Sequence, residues 1–199
     1  MKKKLLALLL TACMVVSMVA CGSEAEAPAT SEGKELAVQI GPDPETVDPA
    51  LSSAIDGGNM ILHAYECLLT VGQDGSLQPG QAETWETSED GLTWTFHLRD
   101  GLKWSDGSAL TANDFVYSWK RVCDPLVAAP YAETVLGMVK GYEEAIGGNT
   151  DALAVTAPDD LTLVVELDAP CSYFGSLAAF DTLSPVQQAT VEANGDAWA

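Results

Sequence analysis

An α+β fold is predicted by three features of this chain of 199 residues. Short runs rich in Thr, Trp and Phe flank polar turns that end in Gly, the pattern of antiparallel hairpins. Thr111 and Asp114 have the spacing of a capping box and open a run with Phe115, Val116 and Trp119 at helical spacing. Two β-branched, apolar runs, 152–157 and 161–167, surround Pro158-Asp159-Asp160 and read as a further hairpin.

In chain order, residues 1–20 read as a targeting segment rather than as structure. Lys2, Lys3 and Lys4 form a positive start, and Leu5 to Ala20 is apolar except for Thr11 and Ser17. The run ends at Ala20-Cys21-Gly22-Ser23, which resembles a bacterial lipoprotein cleavage site with Cys21 as the lipidated terminus. Met18 stands where that pattern prefers Leu. A competing box, Leu10-Thr11-Ala12-Cys13, would leave an apolar core too short for export, so Cys21 is the preferred site. A retained membrane helix needs about 20 apolar residues, more than this run offers. Residues 21–35, with Glu, Ala, Ser, Thr, Pro and Gly, read as a flexible tether.

Residues 36–199 are expected to fold. Leu36–Ile40 reads as a first strand, stopped by Gly41-Pro42-Asp43-Pro44. From Gly58 to Leu69, the positions Met60, Ile61, Ala64, Tyr65 and Leu68 predict a core-packing helix. Gly72-Gln73-Asp74-Gly75 is a hairpin turn. The central hairpin joins Thr84–Thr87 to Thr93–Leu98 through Ser88-Glu89-Asp90-Gly91, with Trp94, Phe96 and Leu98 on its apolar face. Asp106-Gly107 turns the chain into the helix that begins at Thr111. Asp124-Pro125 stops that helix; two short helical patterns follow, up to Gly147-Gly148, and a polar helix precedes Asn194-Gly195.

The balance of 9 basic to 29 acidic side chains excludes several partners. Three of the nine basic residues leave with the leader, and the remaining negative surface repels nucleic-acid phosphates and anionic lipid headgroups. Membrane attachment is therefore expected through acyl chains on Cys21. Once Cys13 and Cys21 are set aside, Cys67, Cys123 and Cys171 remain, an odd number that cannot pair completely. They read as small buried hydrophobes. His63 and His97 have no nucleophile or carboxylate at a motif spacing, no phosphate loop is present, and Asp43, Glu45 and Asp48 lack calcium-loop spacing. Catalysis, a metal and a cofactor are therefore not expected; binding is.

The stretch Ala82 to Arg121 resembles the family 5 extracellular solute-binding proteins, the peptide receptors of ABC importers. That family carries W-x-x-S-x-D-G-x-x-Y/W-T-F-x-L-R, then K-W-S-D-G, then T-A-x-D-F-V-Y-S-W-x-R. Here these positions are Trp85, Ser88, Asp90, Gly91, Trp94, Thr95, Phe96, Leu98, Arg99, Trp104 to Gly107, and Thr111 to Arg121. The match extends to Pro44–Leu51 and to Asp159–Phe174, where Cys171 and Ser172 depart from the usual residues. The resemblance implies a two-lobed receptor of the type II periplasmic-binding-protein kind, of which this chain supplies the N-terminal subdomain and part of the first lobe. It implies capture of oligopeptides for uptake, an ABC permease as partner, a monomeric state, and a place on the outer face of the cytoplasmic membrane. Other small solutes, such as a nickel chelate or an oligosaccharide, and a non-transport adhesion or signalling role stay open within the fold. Two segments match stretches that border the peptide: Ser53-Ala54-Ile55, through its backbone, and Tyr131. The first could be an ordinary loop, and Tyr131 could be a packing tyrosine.

Overall fold

The computed structural model describes residues 37–39 and 41–199; the leader, Cys21 and the tether lie outside them. Ala37–Gln39 form part of a unit separate from Ile40–Ala199. They are exposed and carry no regular structure, contrary to the strand expected over Leu36–Ile40. A strand needs a ladder partner, and no described residue pairs with these three.

Among the described residues the second unit contains six strands, six α-helices and three short 3-10 helices. Helix α1 spans Ile55–Ala64, so the expected helix begins earlier and stops sooner than its apolar spacing suggested. Tyr65 turns extended, at φ −123° and ψ 159°. The carbonyls of Cys67 and Leu68 accept hydrogen bonds from Gln81, Gly80 and Ala82 N–H groups. Residues 65–68 thus serve a sheet-like connection rather than another helical turn. Within α1 only Gly57 and Ile61 are buried, so the broad core face that was expected is reduced to one side chain.

Strands β1 (Leu69–Val71) and β2 (Leu77–Pro79) form a small hairpin. The main sheet is antiparallel, in the order β3-β4-β6-β5. Its central hairpin pairs β3 (Ala82–Thr87) with β4 (Thr93–Leu98), as expected. Gly91 sits at φ 73°, a conformation the turn requires and side chains resist. The last hairpin pairs β5 (Val155–Asp159) with β6 (Thr162–Glu166), so the turn lies later than Pro158-Asp159-Asp160. Pro158 is tolerated because β5 is an edge strand with a register shift between Thr156 and Asp159.

Helix α2 (Ala112–Val122) packs on this sheet. Its start is fixed as the sequence predicts: the Asp114 carboxylate accepts from the Thr111 N–H at 2.7 Å. Phe115, Trp119 and Val122 enter the core with Trp94, Phe96, Leu163 and Val165. Helices α3 (Ala132–Leu136), α4 (Tyr142–Ile146) and α5 (Phe174–Leu177) close its sides. Phe174 meets the rings of Trp94 and Trp119 edge-on, at 5.6 and 6.3 Å between centroids. The segment before α6 (Gln188–Asn194) is tied to α2: Trp119 Nε1 donates to the Leu183 carbonyl, and Ser118 Oγ accepts from the Val186 N–H.

Cys67, Cys123 and Cys171 are free and buried. Burial pushes the Cys67 and Cys123 thiols up to about 12, so neither forms a thiolate nucleophile at neutral pH.

Candidate functional site

Two chain segments far apart in sequence face each other across a surface groove of about 480 Å³. One wall holds Ser53, Ala54 and Gly57; the other holds Ala128 and Pro130. The first wall starts at Asp48, whose carbonyl accepts from the Leu51 and Ser52 N–H groups and bends the chain. Beyond that bend Ala54 is extended, at φ −116° and ψ 150°, and caps α1. Ser53 and the Ala54 N–H have no hydrogen-bond partner among the described residues. Gly57 allows the close approach of α1 to this bend: a Cβ there would lie 2.6 Å from Ser52 Oγ and 2.9 Å from the Thr46 carbonyl oxygen.

The second wall begins where α2 ends. Asp124 organises the turn: its side chain accepts from the Leu126 N–H at 2.8 Å, and its carbonyl accepts from the Val127 and Ala128 N–H groups. Ala128 then takes φ 54°, the only non-glycine positive φ among the described residues. Such a conformation costs an L-residue about 1–2 kcal/mol and reverses the chain toward Pro130.

A buried ion pair joins the two walls. Arg121 Nη2 and Nη1 donate to Asp48 Oδ2 and Oδ1 at 2.6 and 3.0 Å. Their side chains are 12% and 3% exposed. Asp48 Oδ1 also accepts from the Ala50 N–H at 2.9 Å, and Oδ2 from Trp198 Nε1 at 3.1 Å. The Arg121 guanidinium stands 5.5 Å from the centre of the Trp198 ring. Every carboxylate oxygen is thus satisfied, the condition under which a buried pair is tolerated. Nearby, burial first and the Asp48 charge second push the Tyr65 hydroxyl up from its ordinary range, while Arg121 opposes them.

The structure brings Ser53 and Ala54 to the groove. Ile55 is 85% exposed at the first turn of α1 and does not line it. Tyr131 follows Pro130 but sets its half-buried ring edge-on against Phe180, at 5.4 Å. The ion pair, Trp198 and the strained Ala128 were missed by the sequence reading. Ala carries no turn signal, and no short-range pattern links Asp48 to Arg121. A larger hollow of about 710 Å³, lined in part by Tyr65, Gln81, Trp104 and Trp198, contains no residue of either expected ligand segment. The smaller groove is therefore the candidate site. His63 lies on exposed α1, and His97 stands 4.0 Å from Glu86 on an exposed strand face. No cluster of three His, Cys, Asp or Glu side chains able to hold a metal occurs among the described residues.

Residues 76–199 match the bacterial extracellular solute-binding proteins, family 5 Middle. The chain belongs to this family. It is 38% identical to the periplasmic oligopeptide-binding protein OppA of Escherichia coli over 202 residues, 99% of this chain and 37% of that protein. It is also 38% identical over 159 residues to a probable deoxycholate-binding periplasmic protein, YgiS, of the same species, covering 78% of this chain and 30% of that one. Among solved structures, Haemophilus influenzae OppA in complex with RPPGFSPFR superposes with a TM-score of 0.76 at 41% identity, over 80% of this chain and 32% of that one. The fold is thus that of the type II periplasmic binding proteins, and the chain spans about a third of the length of the relatives it matches.

Proposed function

We propose that this chain is the N-terminal part of the substrate-binding component of an ABC importer, and that it captures oligopeptides outside the cell. The observation that carries the reading is the backbone of Ser53 and the N–H of the extended Ala54, without hydrogen-bond partners among the described residues and facing Ala128 and Pro130 across an open groove. A peptide in extended form adds to such a backbone as a strand does to a sheet edge, through main-chain bonds indifferent to sequence. Ser53, Ala54 and Ile55 are assigned to the peptide main chain, and Tyr131 to the rim of the site. The role is binding, not catalysis, and needs no cofactor. A monomer that hands its ligand to a permease fits this arrangement.

Residues 1–20 are assigned as a lipoprotein leader, 21–35 as tether and 36–199 as part of the solute-binding domain, anchored by acyl chains on Cys21. Mass spectrometry of the membrane fraction should then find an N-terminal peptide that begins at lipidated Cys21. A terminus at Cys13 or an intact Lys2–Lys4 leader would contradict that assignment.

Binding is tested by nuclear magnetic resonance of the whole chain, titrated with RPPGFSPFR, the peptide bound to the Haemophilus relative. Amide signals of residues 53–55 and 128–131 should move together at millimolar peptide. Deoxycholate forms the second arm, because a relative of equal identity is named for it. If deoxycholate moves these signals and the peptide does not, a steroid ligand replaces the peptide.

A further inference from the structure

We propose that the Asp48–Arg121 pair positions the two walls of the groove against each other, and so controls peptide binding and not only stability. This rests on the reading of the groove as the peptide site. The two residues are 73 positions apart, and each is hydrogen-bonded into the bend that leads to one wall. Asp48 accepts the Ala50 N–H through its side chain and the Leu51 and Ser52 N–H groups through its carbonyl, immediately before Ser53 and Ala54. The Arg121 carbonyl accepts the Asp124 N–H at 3.0 Å, and Asp124 in turn shapes the turn that ends at Ala128. The two-pronged guanidinium–carboxylate contact therefore fixes distance and angle between two otherwise independent bends.

A buried pair is a costly way to gain stability, since well-packed apolar replacements are often neutral or better. What an apolar contact lacks is the directional fork, which a lysine cannot reproduce either. The strain at Ala128 agrees with this: a residue held in an unfavourable conformation needs its surroundings to be fixed. Trp198 completes the clamp by donating to Asp48 Oδ2 while its ring lies by the guanidinium.

The experiment compares the unsubstituted whole chain with R121K and the double variant D48L/R121L. Each is titrated with RPPGFSPFR by nuclear magnetic resonance, and its melting temperature is measured alongside. A loss of about fivefold or more in affinity, near 1 kcal/mol, is expected for both variants. The double variant should at the same time melt within a few degrees of the parent. Affinity that returns together with the melting temperature in the double variant would show a purely structural pair and overturn the proposal. Unchanged affinity in R121K, which keeps the charge and guards against a double variant that fails to fold, would overturn it as well. Both results leave the groove reading intact. An unsubstituted chain whose groove signals ignore the peptide overturns the groove reading, and the positioning role with it.

Discussion

Around α2 and the main sheet, Phe96, Phe115, Trp119 and Leu163 are fully enclosed, and their positions follow from turns and periodicities a few residues long. In the groove, Ser53 and Ala54 stand exposed, and the walls are held by one ion pair between distant residues. The first region is stabilised by area: each enclosed apolar side chain contributes about 1.5–3 kcal/mol, and no single contact is decisive. The second depends on direction, because a few polar atoms must meet at fixed angles. Damage to the first should therefore act on folding, and damage to the second on ligand.

The largest effect expected is in the core. Trp119→Ala removes a fully buried ring, its contact with Phe174 and its hydrogen bond to the Leu183 carbonyl. It should destabilise the chain by about 3–5 kcal/mol in urea unfolding. A loss below about 1 kcal/mol would mean that the α2–sheet interface collapses around the cavity, and the contrast between the regions would weaken.

That same division explains what could be read in the sequence. The Asp114 cap, the Trp94-Phe96-Leu98 alternation and the Asp-Gly turns are local, and the structure places them as expected. The helix expected to reach Leu69 stops at Ala64 because Tyr65 and Leu68 fit a helical stripe by chance. The Cys67 and Leu68 carbonyls are claimed instead by the N–H groups of Gly80, Gln81 and Ala82, a tertiary contact that periodicity cannot register. Of the candidate site, Ser53 and Ala54 were named through resemblance alone. Next to the opposite wall only Tyr131 was named, again through resemblance, and the bonds that join the walls, from Arg121 to Asp48, are long-range.

Next in size is a ligand effect without a folding effect. In a receptor of the relatives' full length that carries this sequence, Tyr131→Ala should weaken peptide binding by about 1–2 kcal/mol, from lost packing and one net hydrogen bond. Peptides of unrelated sequence should suffer alike if, as proposed, the contact is to the peptide backbone. Unchanged affinity at an unchanged melting temperature removes Tyr131 from the site, and its contact with Phe180 is then its whole role. By contrast the present chain alone should show no micromolar affinity in calorimetry, since it spans only about a third of the length of the peptide-binding relatives.

A smaller shift separates strain from placement. Ala128→Gly relieves the positive φ at a partly offsetting cost in unfolded-chain entropy, so a net gain of about 0.5 kcal/mol is expected. Thermal unfolding checks it. A net loss would show that the Ala128 methyl packs in the groove wall, and would move that residue from the directional region to the packed one.

The smallest effect is on a single titration, in the turn that leads into α2. Asp106 accepts from Ser108 Oγ at 2.6 Å, from Gln187 Nε2 at 2.9 Å and from the Ser108 N–H at 2.8 Å. These bonds favour the ionised carboxylate, led by the Ser108 hydroxyl, and hold its pKa down at about 2. A depressed carboxylate adds stability that is complete above its unfolded pKa of about 3.9 and disappears as the pH falls through the folded value. The turn should therefore stay intact from pH 7 to pH 4 and lose this contribution only between about 4 and 2. Because the group is fully exposed, the global melting temperature should hardly register it, while its own carboxyl signal should. Ser108→Ala removes the leading donor and should bring the midpoint back toward the ordinary carboxylate range. A midpoint already in that range in the unsubstituted chain would mean that solvent, not Ser108 and Gln187, satisfies Asp106, and that this turn is held by its backbone bonds between Trp104, Gly107 and Ser108.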